Sequence, residues 1–146
     1  MRTITVEEHF ITPAFLAGPG KHFMNRFRDS GPAGAVIVDR LTDLGDKRVA
    51  EMDAAGIDMQ VVSLNAPGVE QAEPDEAVAC ARDSNDWLAE AIKKHPTRFA
   101  GFASLATQAP DKAADELERC VRKLGFKGAN INGHTRGRYL DDKFFA

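Results

Sequence analysis

Cysteine is scarce in this 146-residue chain: Cys80 and Cys120 are the only two. Each falls among apolar residues in a segment of helical character, which predicts buried thiols in a reducing compartment, the cytoplasm, rather than a disulfide framework. Long apolar runs are missing too. None approaches the roughly 18 residues that cross a bilayer, and the N-terminus offers one Arg followed by Glu7 and Glu8, the wrong order for a secretory signal. Positive charge is not in excess, since 19 Lys and Arg stand against 22 Asp and Glu for a net charge of −3. That leaves no basic footprint for nucleic acid or for an anionic membrane. Phosphate-cradling glycine loops are absent: Gly18-Pro19-Gly20 lacks the spacing and the strand-to-helix setting of a dinucleotide loop. There is no Gly-x-Ser-x-Gly, no Cys-x-x-Cys, no internal repeat and no interdomain linker. With 43% hydrophobic and 28% charged residues the composition is that of an ordinary globular domain, and the length suits one domain.

What the chain does have is a β-prone run, Thr3-Ile4-Thr5-Val6, delivering Glu7, Glu8, His9 and Phe10 at its end. Side chains alternate along a strand, so Glu7 and His9 at i and i+2 share a face. A carboxylate and an imidazole aimed at the mouth of a barrel would start a divalent-metal site, because both donors suit zinc or manganese. Taken alone, the same short pattern describes two solvated glutamates and a histidine capping a turn.

The segment 11–40 is the least regular. Pro13, Gly18-Pro19-Gly20, Gly31-Pro32 and Gly34 punctuate it, predicting a long loop insertion with one or two short helical pieces, His22 to Arg28 the better. Phe10, Phe15, Phe23 and Phe27 would wall a pocket fit for an aromatic ring, or merely pin the loop to the body. Asp46 to Ala55 reads as a helix with Asp46 as N-cap and Gly56 as its stop. Ile57 to Leu64 reads as a strand ending in Asn65-Ala66-Pro67-Gly68. A helix follows from Pro74 to about Lys94, closed by Pro96, with Val78, Ala81, Leu88 and Ile92 on one face and Trp87 packing between helix and sheet. The next strand is Phe99 to Leu105. Pro110 then opens a helix whose apolar face is Ala113, Leu117, Cys120, Val121 and Leu124, with Gly125 at the stop. A fourth strand, Lys127 to Ile131, runs into Asn132-Gly133-His134. Strands alternating with helices signal βαβ units and a parallel α/β sheet.

These stretches together carry a resemblance. EEHF at Glu7 to Phe10, RVAEMDAAGIDMQVVSLNAPGVE at Arg48 to Glu70, SNDWLAEAIKKHPTRFAGFASLA at Ser84 to Ala106 and LGFKGANINGHTRGRYLDDKFF at Leu124 to Phe145 resemble the amidohydrolase-related (amidohydrolase 2) proteins. Within that group they look most like decarboxylases of dihydroxybenzoates and of aminocarboxymuconate semialdehyde. The resemblance implies a TIM-barrel-like (β/α)₈ fold with one divalent metal, zinc or manganese, at the C-terminal mouth. The family's Glu-x-His pair falls on Glu7 and His9, and its remaining ligands, with the catalytic histidine and aspartate, come from later strands. As further substrate-binding positions at the mouth we carry Phe23, Asn65, Ala66, Asn132 and His134. For His134 an exposed turn histidine is the stronger reading, His95 at a helix end suits a dipole partner, and His22 a surface group.

Such a barrel needs around 250 residues. The 146 here therefore predict the N-terminal half of a single barrel domain, about the first four β/α units, ending at Phe144-Phe145-Ala146 as the next helix should begin. The implied activity is metal-dependent, non-oxidative decarboxylation of an aromatic or unsaturated small-molecule carboxylic acid, with hydrolysis as the wider family's alternative. A half of this kind would be inactive and hold metal weakly until completed by a C-terminal half or a second copy. A non-catalytic half-barrel that forms a homo-oligomer through its open face is the competing reading.

Overall fold

Strands β1 (Ile4–Phe10), β2 (Met59–Leu64) and β3 (Phe99–Gly101) run parallel, in the order β1-β2-β3, at the centre of the computed structural model, which describes residues 1–145. The position of Ala146 lies outside the described residues. Six helices surround the strands among the described residues: α1 (Pro13–Ala17), α2 (Lys21–Arg28), α3 (Pro32–Leu41), α4 (Asp46–Ala55), α5 (Pro74–Lys94) and α6 (Pro110–Lys123), with a 3₁₀ turn at Lys143–Phe145. Parallel neighbours require crossover connections, and α4 and α5 supply them here.

Local chemistry explains these helices. Pro13, Pro32, Pro74 and Pro110 sit at the first helical position of α1, α3, α5 and α6, where a missing N–H costs nothing and the fixed φ helps. Gly56 ends α4 at φ +69°, a conformation other residues resist. Two corrections follow. Segment 11–40 is mostly helical, α1 to α3, because Pro13 and Pro32 open helices instead of breaking them. Asp46 is the first residue of α4, behind Gly45, not its N-cap.

The core forms where α5 meets the sheet. Ala77, Cys80, Ala81, Ser84, Asn85, Leu88 and Ala91 recur at helical spacing on its buried face. Gly101 of β3 lets that face come close, since a Cβ there would lie 2.9 Å from Leu88 Cδ2. Burying a side chain of leucine's size contributes about 1.5–3 kcal/mol, and Leu88, Phe99, Phe10 and Phe15 are all fully enclosed. Asn85 secures the packing by polar means: its Nδ2 donates to the Ser104 carbonyl at 3.0 Å and to Glu116 Oε1 at 2.8 Å, while its Oδ1 accepts from Ser104 N–H at 2.9 Å. Cys80 and Cys120 are free and buried as expected. Trp87, by contrast, is 45% exposed on the outer face of α5, and Val121 is 43% exposed on α6. Each lies on its helix's solvent side although its residue type suggested packing.

The fourth strand is reduced to one parallel bridge, Ala103 to Ala129. Lys127 N–H donates to the Gly101 carbonyl at 2.9 Å, Ala103 N–H to Gly128 at 2.8 Å and Asn130 N–H to Ala103 at 3.0 Å. The segment therefore runs beside β3 without forming a continuous ladder. Gly128 at φ +149° bends it away from strand geometry, and among the described residues nothing pairs with its outer edge. For the same reason β3 ends at Gly101 rather than at Leu105.

Candidate functional site

The end of β1 is built around an irregularity. Its register with β2 runs Thr5 to Gln60 and then Glu8 to Val62, so three steps on β1 span two on β2, as at a β-bulge. Beyond it Glu8, His9 and Phe10 pair in order with Val62, Ser63 and Leu64. Glu8 turns to α4, where its Oε2 lies 3.8 Å from Arg48 Nη2. By alternation its neighbours Glu7 and His9 stand together on the opposite face. His9 is half-buried, with Nδ1 3.0 Å from Ser63 Oγ. Protonated Nδ1 donating to that hydroxyl leaves the Nε2 lone pair free. Glu7 is exposed. Among the described residues β1 has a sheet neighbour on one side only, and a groove of about 400 Å³ borders Glu7, Glu8, His9, Ile37, Arg48 and Gln60.

Arg48 went unnoticed in the sequence. From α4 its Nη1 donates to the His9 carbonyl at 2.9 Å and its Nε to Gln60 Oε1 at 2.8 Å. Burial pulls its pKa below the usual arginine value, while Glu8, Asp43 and Glu51 oppose that shift. A signal was available: Arg48 lies four residues before Met52, which is buried, and so shares the inward stripe of its helix.

The loops after the strands form the second part of the site. Asn65 follows β2 directly; its N–H donates to the Phe10 carbonyl at 2.9 Å and its Nδ2 to the Ala66 carbonyl at 2.7 Å, with Met24 Sδ 3.7 Å away. Asn65 thus links the ends of β1 and β2 to α2, whose Phe23 is 47% exposed. Ala66 is exposed and precedes a cis Pro67. Phe10 and Phe15, expected as walls beside Phe23 and Phe27, are core residues instead; only the α2 pair presents aromatic surface.

Glu70 closes this loop from inside. It is 1% exposed, and Oε1 accepts the Asn132 N–H at 2.7 Å while Oε2 is buried without a partner among the described residues. Burial raises its pKa above the ordinary carboxylate value, and hydrogen bonds from Asn132 partly counter the rise. Gln108 Nε2 donates to the Val69 and Ala72 carbonyls at 2.8 and 2.9 Å, so the same loop is clamped from the end of the β3 segment as well. Asn132 is therefore framework, committed to Glu70. His134 is exposed; its Nδ1 accepts from Gly137 N–H at 3.1 Å, and Gln71 Nε2 donates to its carbonyl. Its ring nitrogen and carbonyl both serve the turn. His95 caps α5 and meets Asp46 at 3.5 Å, and His22 is exposed on α2.

Glu7 and His9 offer one oxygen and one nitrogen donor, a pair that fits a divalent metal. Among the described residues no group of three or more His, Cys, Asp or Glu comes together to hold an ion, so these two donors alone would make only part of a ligand set. The amidohydrolase family model matches residues 9–146. This chain belongs to the amidohydrolase family. The amidohydrolase chain is 44% identical over 134 residues to a gamma-resorcylate decarboxylase of Polaromonas sp., covering 91% of this chain and 39% of that protein. Against a structure of 5-carboxyvanillate decarboxylase from Novosphingobium aromaticivorans, with manganese and 3-methoxy-4-hydroxy-5-nitrobenzoic acid bound, the TM-score is 0.89 at 38% identity, covering 99% of this chain and 45% of that one. A dihydroxybenzoic acid decarboxylase of Polaromonas sp., solved with manganese and 2-nitroresorcinol, gives 0.83 at 41% identity, with 99% and 44% covered. The architecture is thus that of the first part of an amidohydrolase barrel. This chain spans about two-fifths of the length of the curated relatives it matches.

Proposed function

We propose that this chain is the N-terminal portion of a metal-dependent, non-oxidative decarboxylase acting on an aromatic carboxylic acid. Glu7 and His9 supply the first two ligands of a manganese or zinc ion at the barrel mouth. The observation carrying this reading is Glu7 and His9 two residues apart at the end of β1, with His9 Nδ1 3.0 Å from Ser63 Oγ, in a chain 44% identical to a gamma-resorcylate decarboxylase. When bound, the ion supplies Lewis acidity toward an oxygen of the substrate. Glu7 and His9 fix its place, Phe23 offers an aromatic face from α2, and Asn65 with Ala66 borders the mouth beyond β2. The residues that complete the ligand set and move the proton belong to the remaining part of the barrel, which pairs with the open edges of β1 and of segment 127–131. Within residues 1–145 no helix is long and apolar enough to cross a membrane, and the two buried free thiols support the cytoplasm as the compartment.

Metal analysis of the complete protein tests the ligand assignment. Wild type should carry about one manganese or zinc per barrel. Glu7→Gln and His9→Asn should each lower the affinity by more than the roughly 10–100-fold typical of losing an outer-shell partner. Unchanged metal content in both variants would sink the assignment.

A further inference from the structure

We infer that Arg48 is a positioning residue for the metal ligands: its guanidinium fixes the register of the end of β1 and so decides where Glu7 and His9 stand. The inference rests on the proposal that those two residues bind the metal.

The need for such a group follows from the geometry of β1. Glu7 sits in the stretch where the register with β2 shifts, so neither Val6 nor Glu7 appears among the strand's register partners. β1 is also an edge strand among the described residues. A bulged edge strand is poorly held against slipping, and a slip of one residue sends every side chain to the other face. Here such a slip would turn Glu7 and His9 away and bring Glu8 into their place. Register pairing with β2 resumes only at Glu8, leaving the last three residues of the strand, Glu8, His9 and Phe10, to hold this end.

Arg48 holds this end from outside the sheet. It takes the backbone carbonyl of the ligand residue itself, His9, at 2.9 Å. It takes Gln60 on the neighbouring strand at 2.8 Å, which references β1 to β2 on the near side of the shift. It also faces Glu8 at 3.8 Å, the residue that must stay on the helix side for Glu7 and His9 to stay on the other. Its side chain is 12% exposed, so these contacts are little screened by water. A planar guanidinium can serve three acceptors in fixed directions; the point charge of a lysine cannot.

The experiment is a manganese titration of the metal-free complete protein, followed by the paramagnetic resonance signal of free manganese, with thermal unfolding of the same metal-free samples as the stability control. Arg48→Met should raise the manganese dissociation constant roughly 10–100-fold, the range seen for outer-shell partners, beyond any change that tracks unfolding temperature. Arg48→Lys should recover part of that loss, and it also serves if the Met variant does not fold. Glu7→Gln is run alongside. A dissociation constant within about twofold of wild type for Arg48→Lys and Arg48→Met, while Glu7→Gln loses binding, would overturn the positioning role and leave the ligand assignment standing. If Glu7→Gln also binds normally, the ligand assignment fails and this inference goes with it.

Discussion

Gly68→Ala should open the loop beyond β2, and the cost can be worked from its surroundings. Gly68 has φ +65°, and an added Cβ would lie 2.1 Å from Glu70 Oε2 and 2.5 Å from Asn132 Nδ2. Backbone strain at this φ costs an L-residue roughly 1–2 kcal/mol. Neither clashing group can move freely, because Glu70 is 1% exposed and holds the Asn132 amide at 2.7 Å. Breaking that bond leaves a buried carboxyl and a half-buried N–H unpaired, at about 1–3 kcal/mol. The sum is about 2–5 kcal/mol, a drop in urea midpoint on the order of 1–2 M for a typical slope. Equilibrium urea unfolding read by the fluorescence of Trp87, the sole tryptophan, measures it. A cycle with Glu70→Ala separates the two contributions: in that background Gly68→Ala should cost only the strain, giving a coupling of about 1–3 kcal/mol. A full-sized cost that persists without Glu70, or a single-variant cost below about 1 kcal/mol, would refute the picture of a loop locked through Glu70 and Asn132.

Two further outcomes are expected. Glu116 is held below its ordinary carboxylate pKa of 4.5: burial acts to raise it, but the bonds from Arg119 and Asn85 outweigh that. A depressed folded pKa means stability that is present above the unfolded value and lost as pH falls through the folded one. Glu116→Gln should therefore be clearly less stable than wild type at pH 7, with the gap closing below about pH 4.5; a gap constant from pH 7 to pH 3 in urea unfolding would contradict this. Burial pushes the Cys80 thiol up to about 11 and the Cys120 thiol up to about 12, so both should resist a thiol-specific chromogenic reagent at pH 8 in the native protein and react quickly once unfolded. Fast native labelling of either would show that α5 or α6 is not packed as described.

Helices α4, α5 and α6 were legible because their signals are local. Pro74 and Pro110 at first helical positions, Gly56 in the left-handed conformation and apolar residues at helical spacing are properties of contiguous residues. The same signals misled in segment 11–40, where proline reads alike as a loop marker or a helix opener and only packing chooses. Val38 and Phe15 are fully buried there, which favours helix over loop. The fourth strand failed for a different reason. Lys127 to Ile131 has strand-like residues, but a strand exists only with its partners, and Gly128 and an unpaired outer edge leave it a single bridge.

The sequence by itself determined the order β1, α4, β2, α5, β3 and α6, the buried faces of α5 and α6 in outline, the burial of both cysteines and the placement of Glu7 and His9 two residues apart on one strand. Each follows from periodicity or from a short motif, which neighbouring residues specify without outside help. Only the tertiary structure decided what holds that pair in place. Ser63 lies 54 residues from His9, Arg48 lies 39 from it, and Asn132 lies 62 from Glu70. A buried polar group must find its partner wherever the fold brings one, and burial itself is a property of the assembled layers, so the helical spacing that turns Arg48 inward does not name the partners it meets, and the carboxyl beneath the β2 loop carries no local signature of its role.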